Sequence, residues 1–199
     1  MTLVDERTAS GAMAQARRAM IDSQLRVSGV NDPPILAAFD TVPREDFVPQ
    51  ARAAVAYVDR AVPLGDGAVL APALTHGQML TAAALVPSDS VLVIGKPGAY
   101  LAALAAKLAA SVSTAAPSED LSAKGTFSLI LIDGAAEVVP PALVDVLSQD
   151  GRIVTGLLER GVTRLALGRK VAGELVFTSL AEADFVALPE YAAPAKWSF

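Results

Sequence analysis

The stretch "VLVIGKPGAY", residues 91–100, decides the fold. A short apolar run enters a turn containing two glycines, a lysine and a proline, and the chain continues as "LAALAAKLAA". "VLVIG" is too short to stand alone as a helix and shows no polar alternation, which predicts a strand buried on both faces. "AYLAALAAKLAA" (99–110) is built from alanine and leucine, residues of high helix propensity, and predicts a helix. Strand, glycine turn, helix is the opening of a βαβ unit, and the pattern continues downstream. "SVSTA" (111–115) and "FSLILID" (127–133) read as strands, separated by the polar loop "APSEDLSAKGT". "PPALVDVLSQDG" (140–151) reads as a helix begun by prolines, and "RIVTGLL" (152–158) as a further strand. "TRLALGRKVAGELVFTSL" (163–180) reads as a hairpin turning near "VAGE", with "FVALP" (185–189) as a last strand segment. Strands alternating with helices predict a mostly parallel sheet.

Upstream the pattern is helical. Residues 1–9 form a polar end expected to be flexible. Ser10 is a candidate cap for a helix to about Arg26, with Met13, Ala16, Met20 and Ile21 on one face. Asp32 followed by Pro33 is a helix start for "PILAAFDTV". "QARAAVAYV" resumes the pattern briefly. "DRAVPLGDGAVLAP" (59–72) reads as a loop, turning at Gly65, Asp66 and Gly67. "ALTHGQMLTAAAL" (73–85) reads as a helix with Leu74, Met79, Leu80 and Ala83 on its inner face. Residues 10–199 therefore make one domain, with 10–60 a helical layer and 61–199 an α/β core.

The composition narrows the function. The 199 residues are 53% hydrophobic and 19% charged, enough for one sizeable core. Alanine and valine supply most of the apolar content, and no run reaches the roughly 18 uncharged apolar residues that span a bilayer. The start has no basic region followed by an apolar stretch, so a secretory signal is not expected and the cytoplasm is. There is no cysteine, which excludes disulfides and thiolate metal sites. The single histidine, His76, excludes a histidine-cluster metal site. Net charge is −5 with scattered Lys and Arg, which argues against a nucleic-acid surface. A protein or peptide partner and a homo-oligomer remain open, the latter suggested by the Ala/Val-rich composition.

Several segments together carry a resemblance. "MIDSQLRVSGVNDPPILAAFDTVPREDFVP" (20–49) holds Gln24, Leu25 and Arg26, then Val42, Pro43, Arg44 and Phe47, Val48, Pro49. "AYVDRAVPLGDG" (56–67) and "GAAEVVPPALVDVLSQDGRIV" (134–154) follow. These stretches resemble the protein-L-isoaspartate O-methyltransferases. That family is S-adenosylmethionine-dependent and Rossmann-like, and methylates isoaspartyl carboxylates of damaged proteins. The resemblance implies a Rossmann-like methyltransferase sheet with a C-terminal antiparallel hairpin and an N-terminal helical layer. It also implies S-adenosylmethionine as cofactor and Asp59, Arg60 and Gly65 as substrate-side residues.

The chemistry-bearing positions depart from the family pattern. The family has an acidic residue on the first strand and a Gly-x-Gly-x-Gly turn, where this chain has Val93 and then Gly95, Lys96, Pro97, Gly98 and Ala99. Pro97 removes a backbone N–H and fixes φ. The acidic residue expected at the end of the second strand is Ala116, with Glu119 and Asp120 as substitutes if the loop folds back. Most of the region that would carry the adenine contacts is absent before Phe127, so the sheet is expected to be truncated on the adenosine side. The family serine by the reacting carboxylate is replaced by Ala71, which leaves no catalytic side chain to assign. The residual crevice consists of Gly95, Lys96, Gly98 and Asp133, the last at the C-terminal end of a strand, where α/β sheets place ligand groups. Lys96 at a helix N-terminus also raises binding of a small anion. His76 reads as a hydrogen-bonded structural histidine, Asp59 and Arg60 as a local ion pair, and Trp197 and Phe199 as a terminal anchor. The expectation is a family member whose methyl transfer is weak or lost and which acts as a binding or assembly module. The alternatives are an active methyltransferase with an altered site and a binder of another anion.

Overall fold

The structure, a computed structural model, describes residues 3–194 except 66, 97 and 98, with side chains described from Gly11 onward. Asp66, Pro97, Gly98, Trp197 and Phe199 from the sequence reading lie outside the described residues.

The core is a six-stranded sheet built from β3 (Ser90–Ile94), β4 (Ser111–Ala115), β5 (Phe127–Ala136), β6 (Leu147–Glu159), β7 (Val162–Val171) and β8 (Glu174–Glu182), in the order β4-β3-β5-β6-β7-β8. The first four strands pair in parallel, and β7 and β8 are antiparallel. The apolar runs become buried strands as expected. The hairpin turns where "VAGE" predicts, with positive φ at Ala172 and Gly173. A second turn of the same kind, Arg160–Gly161, joins β6 to β7.

Alternation along the strands sorts two cores. Val91, Val93, Leu129 and Leu131 face one side, and Leu92, Ile94, Ile130 and Ile132 the other. All four α-helices pack on the first side: α1 (Leu3–Met20), α2 (Pro33–Thr41), α3 (Ala73–Ala83) and α4 (Tyr100–Ala105). Among the described residues the second side is covered by a 3-10 turn at Pro141–Val144 and by Leu188 and Tyr191 from the C-terminal segment.

Several expected boundaries move. The first helix begins at Leu3, since no proline interrupts the chain before Met20, and it continues as a π turn over Ile21–Leu25. Asp32 caps α2 as expected, accepting from the Ile35 N–H at 3.2 Å, with Pro33 behind it. The expected helix over 140–151 is only the 3-10 turn. Lys170 Nζ donates to the Val144 and Leu147 carbonyls, and Leu147 already pairs with Phe127 as the start of β6. Helix α4 stops at Ala105 because the Asp89 carbonyl takes the Ala110 and Ser111 N–H groups and draws the chain into β4. "QARAAVAYV" gives a 3-10 turn, Gln50–Val55. The expected loop over 59–72 contains a small hairpin, β1 (Val62–Gly65) with β2 (Ala68–Leu70). "FVALP" adds only a single bridge, Ala187 to Ala135.

The sheet ends at β4, so the truncation seen in the sequence leaves this strand at an edge. The loop after it folds back to protect it: Lys124 Nζ donates to the Thr114 carbonyl at 2.9 Å and pairs with Glu119 at 2.8 Å. A charged ammonium laid from this loop against an edge-strand carbonyl hinders further pairing there.

Candidate functional site

The order β4-β3-β5 makes a topological switch point, where successive connections leave β3 in opposite directions. In open α/β sheets ligands bind in the crevice that opens there, beyond the C-terminal strand ends. A cleft of about 490 Å3 lies at that place. Gly95, Lys96, Tyr100, Ala116 and Asp133 line it from the sheet, Leu64 and Val69 from the small hairpin, and Val186–Glu190 from the C-terminal segment.

Gly95 follows β3 and approaches β5 closely. A methyl group placed there would sit 3.0 Å from the Asp133 Cβ, a tight contact that favours glycine where β3 meets β5. Asp133 continues the Leu129, Leu131 side of β5 and emerges toward α3. There Asp133 Oδ1 lies 2.9 Å from His76 Nε2. His76 is fully buried, whereas the Asp133 side chain is 14% exposed. The sequence marks Asp133 as a crevice residue and His76 as a hydrogen-bonded structural histidine, and does not join the two.

Tyr100, the first residue of α4, centres a second cluster. Its ring packs edge-on to Phe39 and Phe47, with centroids 6.0 and 5.2 Å away, and lies 5.9 Å from the His76 ring. The Arg44 guanidinium stands 5.2 Å over the same ring. Arg44 is wholly buried, and donates from Nε to the Ala56 carbonyl at 2.7 Å and from Nη2 to the Ala71 carbonyl at 2.6 Å. Burial pulls its pKa down to about 10, against the opposing influence of Tyr100 and Asp133. Burial likewise raises the Tyr100 phenol. Arg44 Nη1, His76 Nδ1 and Tyr100 Oη are buried with no hydrogen-bond partner among the described residues. The sequence sets Arg44 beside Glu45 and Asp46 in the proline-bounded "PREDFVP", and nothing in that charged run signals its burial.

The expected site residues divide. Gly95, Lys96 and Asp133 come together at the cleft, while Gly98 lies outside the described residues. Ala71 is buried behind the cleft, its carbonyl held by Arg44. Gly65 ends β1 at a φ of 101° beside the lining residues Leu64 and Gly67. Asp59 faces a different depression, with Thr75 and Asp184, and Arg60 lines neither. Among the described residues Asp59 and Arg60 form no ion pair, and both are exposed. Glu119 accepts from the Ala116 N–H at 3.0 Å as well as from Lys124, and Asp120 accepts from the Ser122 N–H. Both carboxylates line a neighbouring depression beside Leu143 and Tyr191, which shares Pro117 with the cleft.

The comparisons with known proteins agree with this geometry. The profile of protein-L-isoaspartate(D-aspartate) O-methyltransferases matches residues 15–123. A protein-L-isoaspartate O-methyltransferase of Koribacter versatilis is 34% identical over 199 aligned residues, covering 86% of this chain and 90% of the relative. The chain belongs to the protein-L-isoaspartate O-methyltransferase family. A Roseiflexus castenholzii member is 31% identical, with 86% and 91% covered. Among solved structures, a Plasmodium falciparum protein described as a protein-L-isoaspartate O-methyltransferase, in complex with S-adenosyl-L-homocysteine, superposes with a TM-score of 0.71. It is 16% identical, with 89% of this chain and 98% of that one covered, and supports the shared Rossmann-like fold. No described helix is long and apolar enough to cross a membrane.

Proposed function

We propose that this chain is a protein-L-isoaspartate O-methyltransferase-family protein in which methyl transfer from S-adenosylmethionine is weak or lost, and that it acts as a binding or assembly module through the retained cleft. The observation that carries the reading is the set of charged groups at the cleft. Among the described residues these are Lys96, Asp133 and Glu190, with Ala116 where a ribose carboxylate is expected and Val93 buried in the core. Glu119 and Asp120 are engaged elsewhere. These residues fit S-adenosylmethionine poorly: Lys96 stands in the cleft beside Asp133 and Glu190, and the acids that follow β4 are bound elsewhere, Glu119 to Lys124 and the Ala116 N–H and Asp120 to the Ser122 N–H. Each missing charged or bidentate contact is worth roughly 1–3 kcal/mol, so losing about three weakens binding by about three orders of magnitude or more.

Assembly has its own support. Strand β8 is an edge strand with Val176 and Leu180 about half exposed, and it carries neither lysine nor proline. The reading of Lys96 as an anion site is disfavoured by Asp133 and Glu190 in the same cleft. An active enzyme with an altered site is favoured by one observation, the cleft's survival at the switch point beside Val69 and Leu70.

Calorimetric titration with S-adenosylmethionine and S-adenosylhomocysteine, followed by a methyl-transfer assay on an isoaspartyl peptide, decides between them. The expected result is no micromolar binding and no turnover above background. Turnover above background overturns the proposal.

A further inference from the structure

We infer that β8 is an interface between two copies of this chain, which pair antiparallel along their β8 edges with Val176 on the two-fold axis. The inference rests on the reading of the chain as an assembly module and names the partner, a second copy.

The two edges of the sheet are treated differently. Strand β4 is five residues long, and Lys124 holds its Thr114 carbonyl at 2.9 Å from the loop that folds back over it. Strand β8 is nine residues long, and its sequence "ELVFTSLAE" has no lysine, no proline and no charge between Glu174 and Glu182. Among the described residues only β7 pairs with it. Its apolar side chains reach into solvent: Val176 is 52% exposed and Leu180 48%, with Val171 at the hairpin turn 54% exposed. An edge left this long, open and apolar is a template for a further strand.

The residues of the edge select a second copy and one register. Two identical strands related by a two-fold axis pair antiparallel, and the residue on the axis fixes every other pair. With Val176 there, Val176 meets Val176, Leu175 meets Phe177 on either side of it, and Glu174 meets Thr178. Apolar thus meets apolar, and no like charges are opposed. With Leu175 on the axis Glu174 falls opposite Val176, and with Phe177 there it falls opposite Leu180. With Thr178 there Glu174 faces Glu182, two like charges. The bulge at Leu180 points the same way. Ser179 pairs with Ala166 and Ala181 with Leu165, so the regular part of β8 stops at Ser179. The ladder centred on Val176 uses Glu174 to Thr178 and lies wholly inside that regular part. Phe177 covers Gly168 on the second side of the sheet and stays half-buried, as does Leu175, so both have surface left to share.

The test uses the whole chain, which has no cysteine of its own. Paired Cα atoms across an antiparallel ladder stand about 4.5–5.5 Å apart, within reach of a disulfide. Val176→Cys is therefore expected to form a covalent dimer on mild oxidation. Thr178→Cys lies on the same face, but its counterpart is roughly 13 Å away along the strands, and a yield roughly tenfold lower or less is expected. Sedimentation equilibrium of the parent is expected to show a dimer whose share rises with concentration, since a ladder this short is smaller than a standard interface. Val176→Lys is expected to stay monomeric at the same concentrations with its melting temperature held, because the side chain it replaces is half exposed in the single chain. A parent monomeric at every concentration, a Val176→Lys protein that still dimerises, or equal cross-linking of the two cysteine variants overturns the inference. Methyl transfer to an isoaspartyl peptide would overturn the reading of lost activity and leave these association outcomes to stand or fall separately.

Discussion

Arg44 Nη2 donates to the Ala71 carbonyl at 2.6 Å, which ties the N-terminal helical layer to the loop where the family carries its serine. The same guanidinium holds the Ala56 carbonyl, so one buried side chain spans both ends of the segment containing the small hairpin. The loop around Ala71 is therefore held in place from the N-terminal layer.

Removing that clamp is expected to be costly. Arg44→Met leaves two buried carbonyls without donors, and charge-assisted bonds of this kind are worth about 1.5–3 kcal/mol each. Relief of the buried charge offsets part of this. A net loss of roughly 2–4 kcal/mol is expected, read as a lower urea midpoint. Lysine cannot reach both carbonyls from a single ammonium, so Arg44→Lys is expected to recover less than half of the loss. A midpoint unchanged in Arg44→Met would show that the clamp adds nothing.

Asp89 sets the acid limit of stability. It is 4% exposed, and it receives Arg152 Nη2 at 2.7 Å, Ser128 Oγ at 2.6 Å and the Val86 N–H at 2.8 Å. Burial acts to raise its pKa, but these hydrogen bonds and the Arg152 charge outweigh it and hold the carboxyl at about 2, below its ordinary 3.8. A depressed carboxyl pKa contributes stability that is complete above the unfolded value and disappears as pH falls through the folded one. The contribution, roughly 2 kcal/mol from a shift of nearly two units, is expected to vanish between about pH 4 and pH 2. Asp89→Asn should flatten that part of the stability–pH curve measured by denaturant titration. A curve of unchanged slope would refute the assignment.

Much of this fold was legible because apolar runs at 91–94, 127–132 and 153–157 leave a strand few alternatives. Asp133 was legible as part of the β5 run, although the strand continues past it to Ala136 rather than ending there. Its bond to His76 was not, because 57 residues separate the two and neither neighbourhood signals the other. The false helix over 140–151 shows a similar limit. Local propensity there is outvoted by Lys170, which comes from β7 to bind the Val144 and Leu147 carbonyls. Helix α4 ends early for a long-range reason as well, the Asp89 carbonyl. Val93, Ala116 and Ala71 were read as departures from motif positions that the resemblance implies, which needs only the sequence. The polar groups around Tyr100 required the three-dimensional arrangement.

Gly134 governs the C-terminal wall of the cleft. A methyl group there would stand 2.5 Å from Leu188 Cγ, while the Leu188 N–H bonds the Ala135 carbonyl at 2.8 Å and the Ala135 N–H bonds Val186 at 2.8 Å. Gly134→Ala is expected to push this segment off β5, at about 1–3 kcal/mol for an overpacked site. Hydrogen exchange should show the Ala135 and Leu188 amides losing protection while β3 amides keep theirs. Leu188→Ala in the same chain should restore protection at Ala135 by making room. Full protection in Gly134→Ala alone would show that the wall adjusts without opening.

Lys124 guards the edge that truncation exposed. Its ammonium occupies the Thr114 carbonyl and pairs with Glu119, both at the surface. Hydrogen bonds from Ala116 and Lys124 hold the Glu119 carboxyl below its usual range, with the Lys124 bond the larger influence. Exposed pairs contribute little to stability, so Lys124→Ala should barely shift the melting temperature. Its effect should lie in association, because β4 would then offer an unblocked parallel-sheet edge to another chain. Sedimentation velocity across a concentration series should show Lys124→Ala gaining a larger species that the parent lacks. Lys124→Arg, which keeps a donor at the same reach, should not gain it. Identical sedimentation of Lys124→Ala and parent at every concentration would mean that the short length of β4, rather than Lys124, keeps this edge unpaired.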